Sequence, residues 1–360
     1  MTSITRRIRR TAAVAVALAA GSALAVPATA TAHSGHASAP TGSTGSTGST
    51  VDSAPLVKSL YQSAYSERNN VLWATSAVGR PPVTTSSLVK VDPRTLQIKA
   101  TYTPPVTNTE TGAVEAVYGV AVDDEHNTVW TTNTRDNSVA VYSQRTGKHL
   151  ASLPGVNHAR EIVVDEKHDL AWASGFGDGT VVAFDTRTFK EKKRVTVEGA
   201  GPAGLAVSEK TGAAYAADLQ NDRIIEITPK SESPRFIPVG DGPISIALSK
   251  DGRTAYTADQ AAGALSVVDL RSGAVTKTVP TGAGALSVAT DRRSGHVLVA
   301  NRTPGNITVV DPREGKVVET LATGANPNHI QVTDGTAYAV DKSGTGPEGQ
   351  DKVHRIGLGR

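Results

Sequence analysis

The chain has 360 residues, no cysteine, 37 Lys and Arg against 34 Asp and Glu, and a formal charge of +3. Without cysteine there is no disulfide, no thiolate nucleophile and no Cys-type zinc site, so stability has to come from buried surface. Arg6, Arg7, Arg9 and Arg10 carry the basic excess, and without them the charge is −1, which excludes a global electrostatic pull toward nucleic acid.

Those arginines open a leader. The cationic stretch TRRIRR precedes the apolar run AAVAVALAAGSALAV, and small-residue cleavage sites follow at Ala28-Thr29-Ala30 and Ala30-Thr31-Ala32. This pattern predicts a secretory signal peptide over residues 1–32 and an extracytoplasmic, secreted protein. The Sec route is expected over the twin-arginine route, because the residues after Arg7 fit the latter pattern poorly. The apolar run is short and alanine-rich for a membrane span, and no second one follows, so no transmembrane segment is expected.

Residues 33–53, HSGHASAPTGSTGSTGSTVDS, have Gly, Ser and Thr repeats and no apolar periodicity, which predicts a flexible linker. Cleavage after Ala30 would place His33 third from a free amine. Cleavage after Ala32 would place it first, with His36 close by. Either arrangement is a candidate copper(II) donor set. The plainer reading is a disordered tail that contains two histidines.

From Ala54 to Arg360 the texture changes to short alternating strands between Gly, Asp and Pro turns. One strand recurs as VLWAT, TVWTTN, LAWAS, AAYAAD, TAYTAD, VLVAN and TAYAVD, with its large residue at Trp73, Trp130, Trp172, Tyr215, Tyr256, Val299 and Tyr338. A period in the low forties with several strands per unit predicts an all-β, seven-bladed β-propeller of four-stranded blades over 54–360. Each unit reads as a first strand such as GVAVD, the aromatic strand, a third strand such as VAVYS, and a fourth such as GKHLASLP. Blades 1 and 7 have longer loops between second and third strands, GRPPVTTSS and KSGTGPEGQDK. The last unit lacks a fourth strand, and the segment from Pro55 to Leu60 is expected to supply it, so that an N-terminal strand closes blade 7.

The unit Val129-Trp130-Thr131-Thr132-Asn133, followed by Arg135-Asp136-Asn137-Ser138-Val139-Ala140-Val141, resembles the YVTN repeat of bacterial propellers. Gly242-Pro243-Ile244-Ser245-Ile246-Ala247-Leu248-Ser249-Lys250-Asp251-Gly252 is similar to the other half of that repeat. Ala64 to Trp73, the long loop of blade 1, Arg160-Glu161 and Asn326-Pro327-Asn328 resemble the YncE-like family. The resemblance covers 54–360. It implies a seven-bladed exported propeller, and single-stranded DNA binding is attributed to the YncE type. Repeat motifs specify fold far better than function.

First strands line the central channel of a propeller. Aligned on the repeat, their early positions hold Tyr61 and Gln62, Tyr118, Arg160 and Glu161, and Asn328 and His329, on blades 1, 2, 3 and 7. These blades are contiguous in a closed ring, and blades 4 to 6 offer small or apolar residues there. The asymmetric polar arc is a candidate ligand site; the plainer reading is a wet channel mouth in which Arg160 and Glu161 satisfy each other. No G-x-S-x-G, H-E-x-x-H or GK[ST] motif is present. The three tryptophans sit at the repeat position and read as core. The expected protein is a monomeric, non-catalytic scaffold without cofactor that binds a small molecule, peptide or protein through the mouth and the long loops. Two alternatives stand beside it. A metal-dependent lyase or hydrolase would use Glu161, His329 and Asn328 at the axis. A single-stranded DNA binder would stack bases on Tyr61 and Tyr118.

Overall fold

The computed structural model describes residues 48–231 and 233–359; the leader, most of the linker, and His33 and His36 lie outside them. The chain forms seven four-stranded antiparallel sheets arranged as blades, each with its first strand innermost. Blade 1 is Leu60–Ser66, Val71–Val78, Thr85–Val91 and Ile98–Tyr102. The inner strands of blades 2 to 7 are Val117–Asp123, Ala159–Asp165, Pro202–Ser208, Pro243–Leu248, Ala285–Thr290 and Pro327–Thr333. Neighbouring inner strands pack on each other all round the ring, with blade 7 against blade 1. The fold is therefore a seven-bladed β-propeller. No helix among the described residues is long and apolar enough to cross a membrane.

The core is divided among the seven junctions between blades. Each junction holds one large apolar cluster drawn from two neighbours, from Trp73 with Val120, Val129 and Ala140 between blades 1 and 2 to Leu60 and Leu72 with Tyr338 and Val353 between blades 7 and 1, and a small one of Ala77, Val83 and Ala116 lies beside the blade 1 loop. Second strands are buried on both faces, as Thr128–Asn133 is throughout, which is why they read as apolar runs around one large residue. Trp73, Trp130 and Trp172 are all within these clusters and at most 1% exposed. In blade 6 the equivalent large residue is Leu298 rather than Val299. Leu298 faces Ala289, as Tyr215 faces Ala206 and Tyr256 faces Ala247.

Blade 7 is closed by an N-terminal strand, but the strand is Thr50–Pro55 and not the segment from Pro55 to Leu60. It pairs antiparallel with Lys352–Gly357, from Thr50 opposite Gly357 to Pro55 opposite Lys352. The displacement has a clear cause. An outermost strand faces solvent on both sides, and this one is exposed at nearly every residue, so it needs backbone pairing and no apolar pattern. Residues 50–53, expected as linker, belong to it. Leu56 and Leu60 go instead into the cluster between blades 7 and 1. The buried Asp351 fastens this crossing: its backbone bonds Leu56 and Val57, its Oδ2 accepts from the Leu60 amide and its Oδ1 from the Gly344 amide.

The extra length between blades 1 and 2 folds as a short hairpin, Val106–Asn108 with Ala113–Val114. It is tied to the blade 1 loop by the Val114 amide on the Val83 carbonyl. The loop of blade 7 is ordered separately, through Asp351 and a Gly346–Gln350 bond. Among the described residues no hydrogen bond joins the two long loops.

Candidate functional site

Every inner strand carries a register break against its second strand, near its start. The bulge turns one backbone amide away from its own ladder and re-aims the side chains beside it. Those amides are met in two ways around the axis. On blades 1 to 3 a hydroxyl of the second strand accepts the amide of the bulge: Gln62 on Thr75, Gly119 on Thr132 and Glu161 on Ser174. The same hydroxyls donate to the next blade, Thr75 to the Tyr118 carbonyl, Thr132 to that of Arg160 and Ser174 to that of Ala203. In the second way, an inner-strand side chain accepts from the next inner strand. Ser245 takes the Val288 amide, Ser287 that of Ile330, His329 Nδ1 that of Ser63, and Gln62 Oε1 that of Val120. Side chains at the mouth therefore project from a backbone held on both sides.

Tyr61, Gln62, Tyr118, Arg160, Glu161, Asn328 and His329 all line one cavity of about 470 Å³ at this mouth. The structure brings together every residue that the aligned inner strands single out. Leu219, Ile244 and Leu286 give it an apolar wall on the side of blades 4 to 6. Gly119 is obligatory in this arrangement, since a Cβ there would lie 2.7 Å from both the Arg160 carbonyl oxygen and Thr132 Oγ1.

The aromatic rings are already engaged. Tyr61 and Tyr118 lie 4.4 Å apart at a tilt of 38°. Lys342 Nζ stands 3.6 Å from the Tyr61 centroid, and the Arg160 guanidinium lies 5.9 Å from that of Tyr118 and 5.6 Å from that of Phe176, within cation–π range. Asn328 is engaged at both ends: its Oδ1 accepts from Arg302 at 2.6 Å and its Nδ2 donates to the Tyr61 carbonyl at 2.7 Å.

Below the rings, Gln62 Nε2 donates to Glu161 Oε2 at 3.0 Å. Burial pushes the Glu161 carboxyl up to about 7, with the Gln62 bond and the Arg160 charge opposing. Burial holds the His329 imidazole down at about 4. Both side chains keep some accessible surface, but it faces the narrow channel, whose lower cavity they also line. Because His329 Nδ1 accepts the Ser63 amide, the neutral ring carries its proton on Nε2.

Arg302 and Lys342 escape an alignment of inner strands because they lie on the loops after the second strands, each directly following a buried Asn or Asp, Asn301 and Asp341. Asp341 caps the incoming loop through the Asn326 amide, and Asp218 does the same for Gly201. The last residue of these second strands is therefore a structural clasp, and Leu219, Arg302 and Lys342, each following one, line the mouth. The hydroxyls Thr75, Thr132 and Ser174 also left a mark in the sequence: blades 4 to 6 have Ala217, Ala258 and Ala300 at that place.

Among the described residues the side chains placed to share a metal ion are Glu125, His126 and Asp169, outside the mouth. Arg187 already fills that position, with Nε on His126 Nε2 at 3.2 Å and Nη2 on Asp169 Oδ2 at 2.9 Å.

Comparison with known proteins gives the fold and little more. Residues 213–335 match the family model of the cytochrome D1 heme domain. Virginiamycin B lyase from Staphylococcus aureus superposes with a TM-score of 0.69 at 13% identity, over 86% of this chain and 99% of that one. A streptogramin B lyase does so with 0.68 at 14% identity, over 86% and 97%. Hydrazine synthase of Kuenenia stuttgartiensis does so with 0.66 at 13% identity, over 79% and 93%. No curated protein matches the chain. Proteins of such different chemistry share this architecture that its function has to be read from the mouth: the chain is a seven-bladed β-propeller protein.

Proposed function

We propose that this protein is an exported, non-catalytic binding propeller of the YVTN and YncE-like kind, and that its ligand enters the channel mouth. The observation that carries the reading is the cavity itself. Polar and aromatic side chains from four contiguous blades converge on about 470 Å³, a small-molecule volume, and hydroxyl bridges between blades fix the backbone beneath them. A preorganised cavity of this kind loses little ordering entropy on binding. In this reading the leader, residues 1–32, delivers the domain outside the cytoplasm, and the linker ends before the strand that begins at Thr50.

The competing readings find less support. A metal-assisted lyase or hydrolase needs several free donors converging at the axis. Glu161 and His329 are there, but Asn328 Oδ1 already accepts from Arg302, and the cations Arg160, Arg302 and Lys342 line the same cavity. Haem, the group of the matched family, does not fit either. His329 is the one imidazole lining the mouth, it is sunk in the wall with Nδ1 bound, and the tyrosine pair and Arg160 break up any flat apolar slot. Single-stranded DNA would need open ring faces for base stacking, whereas Tyr61 and Tyr118 cover each other and are capped by cations.

The test is ligand-observed NMR of residues 48–360 against a metabolite library, repeated with Tyr118→Ala. Binders are expected, and the mouth substitution should abolish them. An empty screen, or binders indifferent to the substitution, would sink the proposal.

A further inference from the structure

Three cations reach the mouth from three different blades, and among the described residues none forms an ion pair. Arg160 rests on aromatic rings. Arg302 uses one nitrogen on Asn328, while its Nε is buried without a hydrogen-bond partner. Lys342 faces the ring of Tyr61. Among the described residues no carboxylate lies within ion-pairing distance of any of the three. Glu161 is the only acid among the residues that line the cavity, and it is bonded to Gln62.

The charges feel one another. Burial lowers the Lys342 ammonium to about 8, with Arg302 adding to the shift and Asp351 opposing it. Burial also lowers Arg302, and Arg160 acts on it in the same direction. Like charges crowded into a half-buried cavity destabilise the empty fold. Such an arrangement persists where a ligand neutralises it, since binding sites hold strain that the rest of the fold offsets.

We infer, resting on the mouth as the binding site, that the ligand is a small oxyanion bearing at least two negative charges. A monoanion would leave most of the positive charge unmatched. The guanidinium groups of Arg160 and Arg302 suit the paired oxygens of carboxylate or phosphate, and Arg302 spends one terminal nitrogen on Asn328, which leaves the other for a ligand. Arg302 and Lys342, on adjacent blades 6 and 7, grip one end. Arg160, on blade 3, takes the other. Leu219, Ile244 and Leu286 receive the uncharged body, and the cavity volume limits the ligand to a small molecule.

Isothermal titration with pyrophosphate and with citrate tests this, with acetate as the monoanion and glucose as the neutral control. The expected result is saturable binding of at least one of the two polyanions, at least tenfold tighter than acetate. Arg302→Gln and Lys342→Met should each weaken it about tenfold or more, the usual worth of a charge-assisted contact. The two polyanions separate phosphate from carboxylate chemistry. A second readout needs no ligand: anion-free Lys342→Met should melt a few degrees above the parent, because an unpaired buried ammonium has gone. Polyanions bound no tighter than acetate, or affinities unchanged by both substitutions, would overturn the inference. A neutral ligand lost on Tyr118→Ala would refute the anion while leaving the mouth a binding site; a mouth that binds nothing removes both.

Discussion

Glu161 and His329 sit at the base of the mouth, and burial drives them in opposite senses. The folded state holds the Glu161 proton up to about pH 7, against an ordinary value of 4.5. Its contribution to stability is full below that ordinary value and is lost as pH rises through 7. His329 stays neutral down to about 4, against 6.5, so its contribution is present above 6.5 and is lost as pH falls through 4. The two slopes oppose each other between pH 4.5 and 6.5. Relative to the parent, Glu161→Gln should therefore gain stability as pH rises through this window, and His329→Gln, which keeps an acceptor for the Ser63 amide, should lose it. Each effect is at most about 3 kcal/mol. Urea unfolding across the window decides, and profiles parallel to the parent's would refute the assignment. Comparison with the parent cancels other groups that titrate there, such as Asp259, raised by burial to about 6. At this scale sequence reading goes far but stops at a boundary. Tyr118 or Arg160 can be found because inner strands align by period; Arg302 and Lys342 lie in loops, where side-chain direction follows no period and only the preceding Asn301 or Asp341 marks the place.

Strands differ in how plainly they announce themselves, and the difference follows burial. The second strands are buried on both faces and repeat a large residue, so all seven are legible, with one slip from Leu298 to Val299 where neighbouring apolar residues make the choice ambiguous. The outer strand Thr50–Pro55 is exposed and carries no pattern, so only the topological need for it can be read. Asp351 is what turns that need into a fixed register, and it tests the point. Asp351→Ala strands the buried amide of Leu60, takes the acceptor from the exposed amide of Gly344 and should cost about 1–3 kcal/mol. Asp351→Asn keeps one acceptor and should cost roughly half as much. Chemical denaturation measures both. No loss in Asp351→Asn beside a full loss in Asp351→Ala would mean that the carboxylate matters only as packing.

Taken whole, the molecule is a ring of seven junctions with no independent core, so each junction depends on its two neighbours. The ring closes by joining Thr50–Pro55 to Lys352–Gly357, the first and last described strands of the chain. The fold class, the blade count and the existence of this closure were legible because a repeat of about forty residues admits few architectures; the bulges and hydroxyl bridges that shape the mouth were not, because they depend on how neighbouring blades meet. A chain beginning at Leu56 leaves the last strand unpaired, and hydrogen exchange should then quicken in blade 7 and in its junction with blade 1 while blades 3 to 5 keep their protection. Uniform loss of protection would show a ring that opens as one unit. The same closure sets a timetable. Whether the chain emerges from a ribosome or from a translocation pore, the first described strand has no partner until the last one follows it. An unpaired β-edge is a hazard for that long, and TVDSAP is suited to the interval: it offers hydroxyls, a carboxylate and a proline where a stickier edge would recruit another nascent chain. Its poverty of apolar residues, which hides it from sequence reading, is what lets an unfinished ring wait in solution.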